Sequence, residues 1–315
     1  MKNRLWAWAA LSLCLLLLLP LTAAAAENLD PVHENRLTIS FRDNGTSLTG
    51  AEFKLYRVAS MDSDGKLTVT ETFSRYPVDF GTWDEETLRI LAATLEGYVL
   101  RDGLTPFWSG KTDANGIIAL RDLPIGLYLV LGSNHTQDGW VYETVPFMVK
   151  LPSRDAETGE WLYDVVVQPK LSKRPVQEGG TLTRKVLKVW ADDGNQQNRP
   201  KEITVQLLRD GVVWDTVTLN AENRWRHTWA DLDDRYHWVV VESTPENYTV
   251  EMTQEGITFV ITNTYTAPPS LPVNPDNPDL PQTGQLWWPV PVLAAVGLLM
   301  IVIGLLRRRS AGYEE

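Results

Sequence analysis

Apolar and polar residues alternate along most of the chain between residues 36 and 170. In RLTISFRDNGTSLTGAEFKLYRV the alternation lies on both sides of Asn44-Gly45, a dipeptide that favours a tight hairpin turn. A second hairpin signal, Asn115-Gly116, lies in KTDANGIIALRDLPIGLYLVLG. Residues two apart share one face of a strand, so this pattern predicts short antiparallel strands that bury one face in a β-sandwich.

One helical pattern interrupts these strands. Its apolar positions, which recur at the spacing of one helix face, are Leu88, Leu91, Ala92 and Leu95. Thr82 precedes them, and Glu85 follows Thr82 at the spacing of a capping box, so Thr82 is the predicted N-cap. We expect the apolar stripe to pack on a sheet.

Strand patterns return in a second region, residues 182–265. The strand-like stretches are KVLKVW, ITVQLLRDG, VVWDTVTL, RWRHTW, YHWVVVE, YTVEM and ITFVITNTY. Their lengths and spacing predict a small antiparallel sandwich of immunoglobulin-like type. Between the regions, residues 171–181 have the proline, glycines and charges of a linker. The sequence therefore predicts an all-β chain of two tandem β-sandwiches, over 36–170 and 182–265, the first with a helical insertion.

The first 26 residues have the pattern of a secretory signal peptide. Lys2 and Arg4 precede an apolar stretch that reaches Leu19, and Pro20 and a run of alanines ending at Ala26 follow. A membrane anchor is the alternative, but Pro20 interrupts the stretch and the small residues suit cleavage. We therefore expect export and removal of residues 1–26.

The C-terminal part begins with a proline-rich spacer over 266–279, and a segment over 280–309 follows it. The pentapeptide that opens this segment is Leu280, Pro281, Gln282, Thr283 and Gly284. An uncharged apolar stretch over 286–306, long enough to cross a bilayer, comes next, and three arginines over 307–309 end the segment.

This order resembles the cell-wall sorting signal of Gram-positive surface proteins. The resemblance implies that a sortase cleaves between Thr283 and Gly284 and transfers the acyl group of Thr283 to an amine. It also implies secretion, transient retention in the membrane through the span, and a final place in the cell wall. A plain single-pass anchor is the alternative.

Composition narrows the chemistry that the chain can carry. Of its 315 residues 43% are hydrophobic, and 29 basic against 40 acidic side chains give a net charge of −11. Such a charge repels a phosphate backbone, so we expect no nucleic-acid partner. Cys14 is the one cysteine and lies in the predicted signal peptide, so the mature chain is expected to have no disulfide. The four histidines are scattered, and we expect no metal, no cofactor and no turnover enzyme.

Both regions resemble known domains. KVWADDGNQQNRPKEITVQLLRDG, followed by YHWVVVES and ITNTY, resembles the Cna protein B-type domain of Gram-positive adhesins and pilins. LTGAEFKLYRV, TDANGIIALRDLPIGLYLV and WLYDVVVQPK resemble the N-terminal domain of sortase-assembled pilin backbone subunits. In the Cna B-type family a lysine on the first strand condenses with an asparagine on the last, and a carboxyl group assists. The resemblance implies these roles for Lys188, Asn263 and Glu242.

The residues themselves fit that chemistry. Lys188 is two residues from Val186 and Trp190, and Glu242 is two residues from Val240, so strand alternation turns both polar groups inward. Burial lowers the pKa of a lysine and raises that of a glutamate, which favours a neutral amine and a neutral carboxyl. Such a carboxyl can donate a hydrogen bond to the asparagine carbonyl and transfer protons. The alternative is a buried Lys–Glu ion pair, with the asparagine capping a turn.

The first region departs from this pattern at three positions. By alignment with the family, Phe41 stands where the lysine is expected, Gly132 where the glutamate is expected, and Leu171 where an asparagine often follows the pilin lysine. Glu143 is near but out of register. We therefore expect no cross-link in the first region.

Lys170 ends WLYDVVVQPK, which resembles the pilin motif WxxxVxVYPK with Gln168 in place of the tyrosine. The resemblance implies that Lys170 of one subunit is joined to Thr283 of another. The alternative is a solvated lysine at the end of an edge strand, with Lys150, Lys173 or Lys185 as substitutes.

The sequence predicts a secreted, wall-anchored pilin subunit with an isopeptide bond in its second domain. Its expected partners are a sortase, neighbouring subunits and peptidoglycan. The alternative is a monomeric wall-anchored adhesin that binds a host ligand.

Overall fold

The computed structural model describes residues 29–30 and 32–266. The predicted signal peptide over 1–26, the LPQTG pentapeptide, the apolar stretch after it and nearly all of the spacer lie outside these residues. None of the helices in the described part has the length and apolar character needed to cross a membrane.

The first half of the described chain contains fifteen strands and two helices. They are β1 Arg36–Ser40, β2 Arg42–Asp43, β3 Thr46–Ser47, β4 Glu52–Met61, β5 Leu67–Val69, α1 Glu71–Ser74, α2 Glu85–Arg101, β6 Trp108–Lys111, β7 Ile117–Leu120, β8 Gly126–Gly132, β9 His135–Gln137, β10 Trp140–Thr144, β11 Phe147–Leu151, β12 Ser153–Arg154, β13 Trp161–Leu162, β14 Asp164–Val167 and β15 Leu171–Pro175.

Two main sheets build the first sandwich. One has the order β11-β8-β4-β5, with β6 also paired to β4, and the other has the order β14-β1-β7. Their inward side chains form one apolar core, to which β1 contributes Leu37 and Ile39 and β4 contributes Phe53 and Leu55. The alternating burial of β1 follows the alternation read from the sequence.

The second half contains seven strands and one short 3-10 turn. They are β16 Thr181–Ala191, the turn Gln196–Asn198, β17 Glu202–Arg209, β18 Val212–Asn220, β19 Arg226–Asp233, β20 Trp238–Glu242, β21 Tyr248–Glu255 and β22 Thr258–Tyr265. One sheet has the order β19-β16-β22-β21 and the other β18-β17-β20. The expected all-β fold with a helical insertion in the first sandwich is confirmed.

Local details differ from the expectations. The turn at Asn44-Gly45 does join a hairpin, β2 to β3. The turn at Asn115-Gly116 instead joins β6, which pairs with β4, to β7, which pairs with β1, so it connects two sheets. Residues 171–175 of the expected linker form β15, which pairs with β10.

The N-cap of α2 is Asp84, and the predicted cap at Thr82 is wrong. Asp84 Oδ1 accepts a hydrogen bond of 2.9 Å from the backbone N–H of Thr87, whereas the Thr82 hydroxyl lies 2.9 Å from the hydroxyl of Thr87. Asp84 is the residue directly before the first helical turn, which is the position from which a side chain reaches these free N–H groups.

Helix α2 is buried on two faces. The predicted stripe, which includes Leu91 and Leu95, contacts β8 and β11 of the first sandwich. The neighbouring face, with Thr94 and Tyr98, contacts β20 and β21 of the second. One apolar cluster consequently runs through α2 from one sandwich to the other.

Candidate functional site

Two of the predicted site residues lie on neighbouring parallel strands of the second sandwich. β16 pairs with β22, with Lys188 opposite Ile261 and Trp190 opposite Asn263. Side chains two residues apart share a face of the sheet, so Lys188 and Asn263 both point inward. Lys188 is 4% exposed and Asn263 is 0% exposed.

Glu242 reaches the same place from the other sheet. It is the last residue of β20, which pairs with β17, and its side chain is fully buried. Its Oε2 lies 3.7 Å from Lys188 Nζ, and its Oε1 accepts a hydrogen bond of 2.5 Å from Asn263 Nδ2. The structure therefore brings the three predicted residues together, with the glutamate in contact with both others.

Burial favours proton transfer from Lys188 to Glu242. Desolvation lowers the pKa of Lys188 to about 8, against the opposing attraction of the Glu242 carboxylate. Desolvation also raises the pKa of Glu242, against the opposing charge of Lys188 and the hydrogen bond from Asn263. A proton that moves from the nitrogen to the oxygen leaves a neutral amine beside a neutral carboxyl.

The backbone and one aromatic ring hold the amine. Lys188 Nζ donates to the carbonyl oxygen of Val189 at 2.8 Å and to that of Ile261 at 3.3 Å. It lies 4.3 Å from the centre of the Trp190 ring. Asn263 Oδ1 is buried without a hydrogen-bond partner, which is costly for a polar atom inside a protein.

One detail of the expected chemistry is different. The Glu242 carboxyl was expected to donate to the asparagine carbonyl, but in the structure the amide nitrogen of Asn263 donates to Glu242. The carboxyl therefore lies beside the nitrogen that a condensation would release. The alternative in which the asparagine caps a turn is wrong, because Asn263 lies inside β22.

A buried ion pair beside the site, between Asp192 and Arg199, was not predicted. Asp192, 2% exposed, accepts two hydrogen bonds of 2.5 Å from Arg199, and the hydroxyl of Tyr248 lies 3.4 Å from it. The Arg199 guanidinium also lies 5.7 Å from the ring of Trp190, which covers Lys188. Charged residues are common in loops, so the sequence offered no signal that these two would pair.

Lys170 lies away from these residues, exposed three positions after the edge strand β14. Its carbonyl oxygen accepts a hydrogen bond from Val145 N, which holds the backbone of the segment. Two of the substitute lysines are engaged: Lys173 pairs with Asp43 at 2.5 Å, and Lys150 donates to the carbonyl of Trp83 at 2.7 Å.

The three divergent positions of the first sandwich lie in one neighbourhood. Phe41 is 1% exposed and packs edge-on against Phe53, with ring centres 5.2 Å apart. A side chain at Gly132 would come within 3.0 Å of Phe53 and 2.7 Å of Thr144, and Leu171 pairs with Thr144. The aromatic pair of Phe41 and Phe53 fills this part of the first core, and Gly132 leaves space for the ring of Phe53.

Glu143, also noted in the sequence, lies in a buried ionic cluster between the sandwiches. His237 Nδ1 lies 3.3 Å from Glu143, and His237 Nε2 lies 2.9 Å from Glu96 of α2. Arg174 and Arg184 approach the second oxygen of Glu143 at 3.2 and 3.7 Å. The histidines look scattered along the sequence because the fold, not the spacing, brings His237 to these carboxylates.

Residues 184–264 match the family model of the Cna protein B-type domain. A collagen adhesin of Staphylococcus aureus is 36% identical over 109 residues, which cover 31% of this chain and 9% of that protein. A fimbrial subunit type 2 of Actinomyces naeslundii is 29% identical over 135 residues, which cover 41% of this chain and 24% of that protein. The chain thus spans less than a quarter of the length of either relative.

Solved structures of similar proteins include the major pilin SpaD of Corynebacterium diphtheriae, at 16% identity and a TM-score of 0.33, covering 75% of this chain and 65% of the pilin. A single B repeat unit of the collagen-binding protein of S. aureus has 19% identity and a TM-score of 0.26, covering 75% of this chain and 99% of the unit. The family match and the two relatives together support a Gram-positive pilin-type protein.

Proposed function

We propose that the chain is a wall-anchored structural pilin subunit, which a sortase polymerises and which an isopeptide bond between Lys188 and Asn263 stabilises. The contact of Glu242 with both Lys188 and Asn263 inside a fully buried pocket carries the proposal. An uncompensated buried charge is costly, and a condensation that consumes the amine removes that cost.

The condensation exchanges one amide bond for another and releases ammonia. Lys188 gives a proton to Glu242 and becomes a neutral amine, whose Nζ attacks Cγ of Asn263. Glu242 then protonates Nδ2 and takes a proton from Nζ, so the Cγ–Nδ2 bond breaks and ammonia leaves. The products are a Lys188–Asn263 amide, one ammonia and a neutral Glu242. The chain reacts once within itself and turns over no substrate.

Polymerisation uses different residues. The exposed amine of Lys170 attacks the thioester between Thr283 of another copy and the sortase cysteine, so an amide forms and the thiolate leaves. Both Lys173 and Lys150 are held by other contacts, which favours Lys170 over these two, whereas Lys185 is exposed like Lys170. The last subunit is joined to peptidoglycan through the same acyl group.

Denaturing gels of wall extracts test the polymer. We expect a high-mass ladder that collapses to one band in a Lys170→Ala strain and persists in a Lys201→Ala strain, whose lysine is also exposed. A ladder that survives Lys170→Ala contradicts the role of Lys170.

The intact mass of the exported chain tests the internal bond. If the bond forms, the measured mass is lower than the mass calculated from the sequence by one ammonia.

A monomeric adhesin is the second candidate. The collagen adhesin that resembles part of this chain favours it, as do the exposed side chains of Val212, Val213 and Trp214 on β18, an edge strand. A single discrete band in wild-type wall extracts would support this function and contradict the pilus.

A further inference from the structure

The second sandwich has an open side between two edge strands. β20, which carries Glu242, ends one sheet, and β21, in which Val250 is paired with Asn263, ends the other. Water that entered between these edges would reach the candidate cross-link directly. Helix α2 of the first domain packs over this side, against both β20 and β21.

The first domain satisfies the backbone of β21. The N–H of Val250 donates to the carbonyl of Pro77 at 2.7 Å, and the N–H of Met252 donates to the hydroxyl of Thr94 at 2.8 Å. These are alternate residues of an edge strand, whose outward N–H groups otherwise need water. Because Val250 is the direct partner of Asn263, the first domain contacts the strand next to the asparagine.

The approach to β20 is equally close. A Cβ at Gly97 of α2 would lie 2.8 Å from the carbonyl oxygen of Val240, so the helix reaches this distance only with glycine there. One residue on, the Tyr98 hydroxyl lies 2.8 Å from that of Thr244. The surface cleft that remains, about 390 Å³, has Tyr98 and Glu242 among its lining residues.

We propose that α2 seals the reaction pocket of the second domain, with Thr94, Gly97 and Tyr98 as positioning residues, so that the condensation requires docking of the two domains. The inference rests on the proposed Lys188–Asn263 bond. Without the helix, water between β20 and β21 would solvate Glu242 and Lys188, which would then stay an ion pair without a nucleophile.

The test follows ammonia loss over time. Full-length chain made by cell-free synthesis is sampled into denaturant, and its intact mass is measured at several pH values. Gly97→Val forces the helix away from β20, and Arg89→Val, at an exposed position of the same helix, is the matched control. We expect wild type and Arg89→Val to react alike and Gly97→Val to react at least about tenfold more slowly.

The pH profile separates a sealing role from a purely structural one. In Gly97→Val the pKa values of the lysine and the glutamate return towards their solvated values, so the range of pH over which the reaction proceeds should widen. Thr94→Ala removes the acceptor for Met252 and one donor to the carbonyl of Ile90 within the same helix. It should slow the reaction about threefold in a chain that stays folded.

Ammonia loss at the wild-type rate in both variants would overturn the inference, as would a slower reaction with an unchanged pH profile. Wild-type chain that never loses ammonia would instead refute the proposed bond itself.

Discussion

The two sandwiches hold different chemistry at corresponding places. In each, the first strand lies between a parallel and an antiparallel neighbour: β1 between β14 and β7, and β16 between β22 and β19. Near the end of that strand the second sandwich buries Lys188, and the first buries Phe41 directly after β1.

The difference shows two ways to tie a first strand to its core. An aromatic ring needs only matching neighbours, and Phe41 has Phe53. A buried lysine needs an acid nearby and a reaction that removes its charge. It is therefore useful only together with the glutamate and the asparagine. A single polar replacement in the first sandwich would therefore carry the cost of burial and none of the chemistry.

Removing the side-chain amide of Asn263 should have the largest effect. In Asn263→Ala no amide can form, so we expect no ammonia loss in the intact mass. The bond closes a loop of about 75 residues, and the second domain should lose about 4 kcal/mol of unfolding free energy if the disulfide entropy model applies. Thr264→Ala, exposed on the same strand, is the control and should keep the bond. Ammonia loss in Asn263→Ala equal to that of the wild type would contradict the proposed bond and with it the comparison of the two cores.

The matching change in the first domain should act on stability alone. Phe41→Ala removes a fully buried ring, and we expect the unfolding free energy to fall by about 3 kcal/mol. Ammonia loss should be unchanged, because no residue of this cluster takes part in it. Urea unfolding and intact mass of the same sample check both statements. Altered ammonia loss would mean that the first core also takes part in the reaction.

The ionic cluster between the domains should contribute less. Burial alone lowers the pKa of His237, but the carboxylates of Glu96 and Glu143 raise it to about 10. A raised pKa means that this stabilisation is complete below the unfolded value of about 6.5 and is lost as pH rises towards 10.

His237→Gln tests that cluster through its dependence on pH. The variant removes the cation that Glu96 and Glu143 share, while Glu143 keeps its two arginines. It should cost about 2 kcal/mol of unfolding free energy at pH 6. The difference from wild type should shrink steadily up to pH 10. His227→Gln, outside the cluster, is the control. A cost that stays constant with pH would show that packing, not charge, holds His237.

Strand alternation explains why the site could be predicted from the sequence. Side chains on a strand repeat every two residues, so Val186 and Trp190 fix the direction of Lys188, and Val240 fixes that of Glu242. The all-β class follows from the same pattern. The same pattern does not predict which strands face each other. The grouping of Glu242 with Lys188 and Asn263 could therefore be predicted only from the family resemblance.

The second face of α2 could not be predicted, because its burial depends on a partner about 150 residues away in the chain. Its residues Thr94, Gly97 and Tyr98 lack the apolar pattern that marks a buried face. Their one local signal is a glycine inside a helix, which costs stability and needs a packing reason.

The pH dependence of bond formation is the smallest effect and the most specific to the second domain. The reactive form has one proton on the pair, carried by Glu242. Below the raised pKa of Glu242 the lysine also keeps its proton, and above the pKa of Lys188, about 8, the shared proton is lost. The rate of ammonia loss should therefore follow a bell, with an upper limb near pH 8 and a fall of about tenfold per unit beyond it. Phe41→Ala should show the same bell, since its change lies in the other core. A rate that keeps rising to pH 10 would mean that Glu242 supplies no proton, because an amine alone gains from every deprotonation.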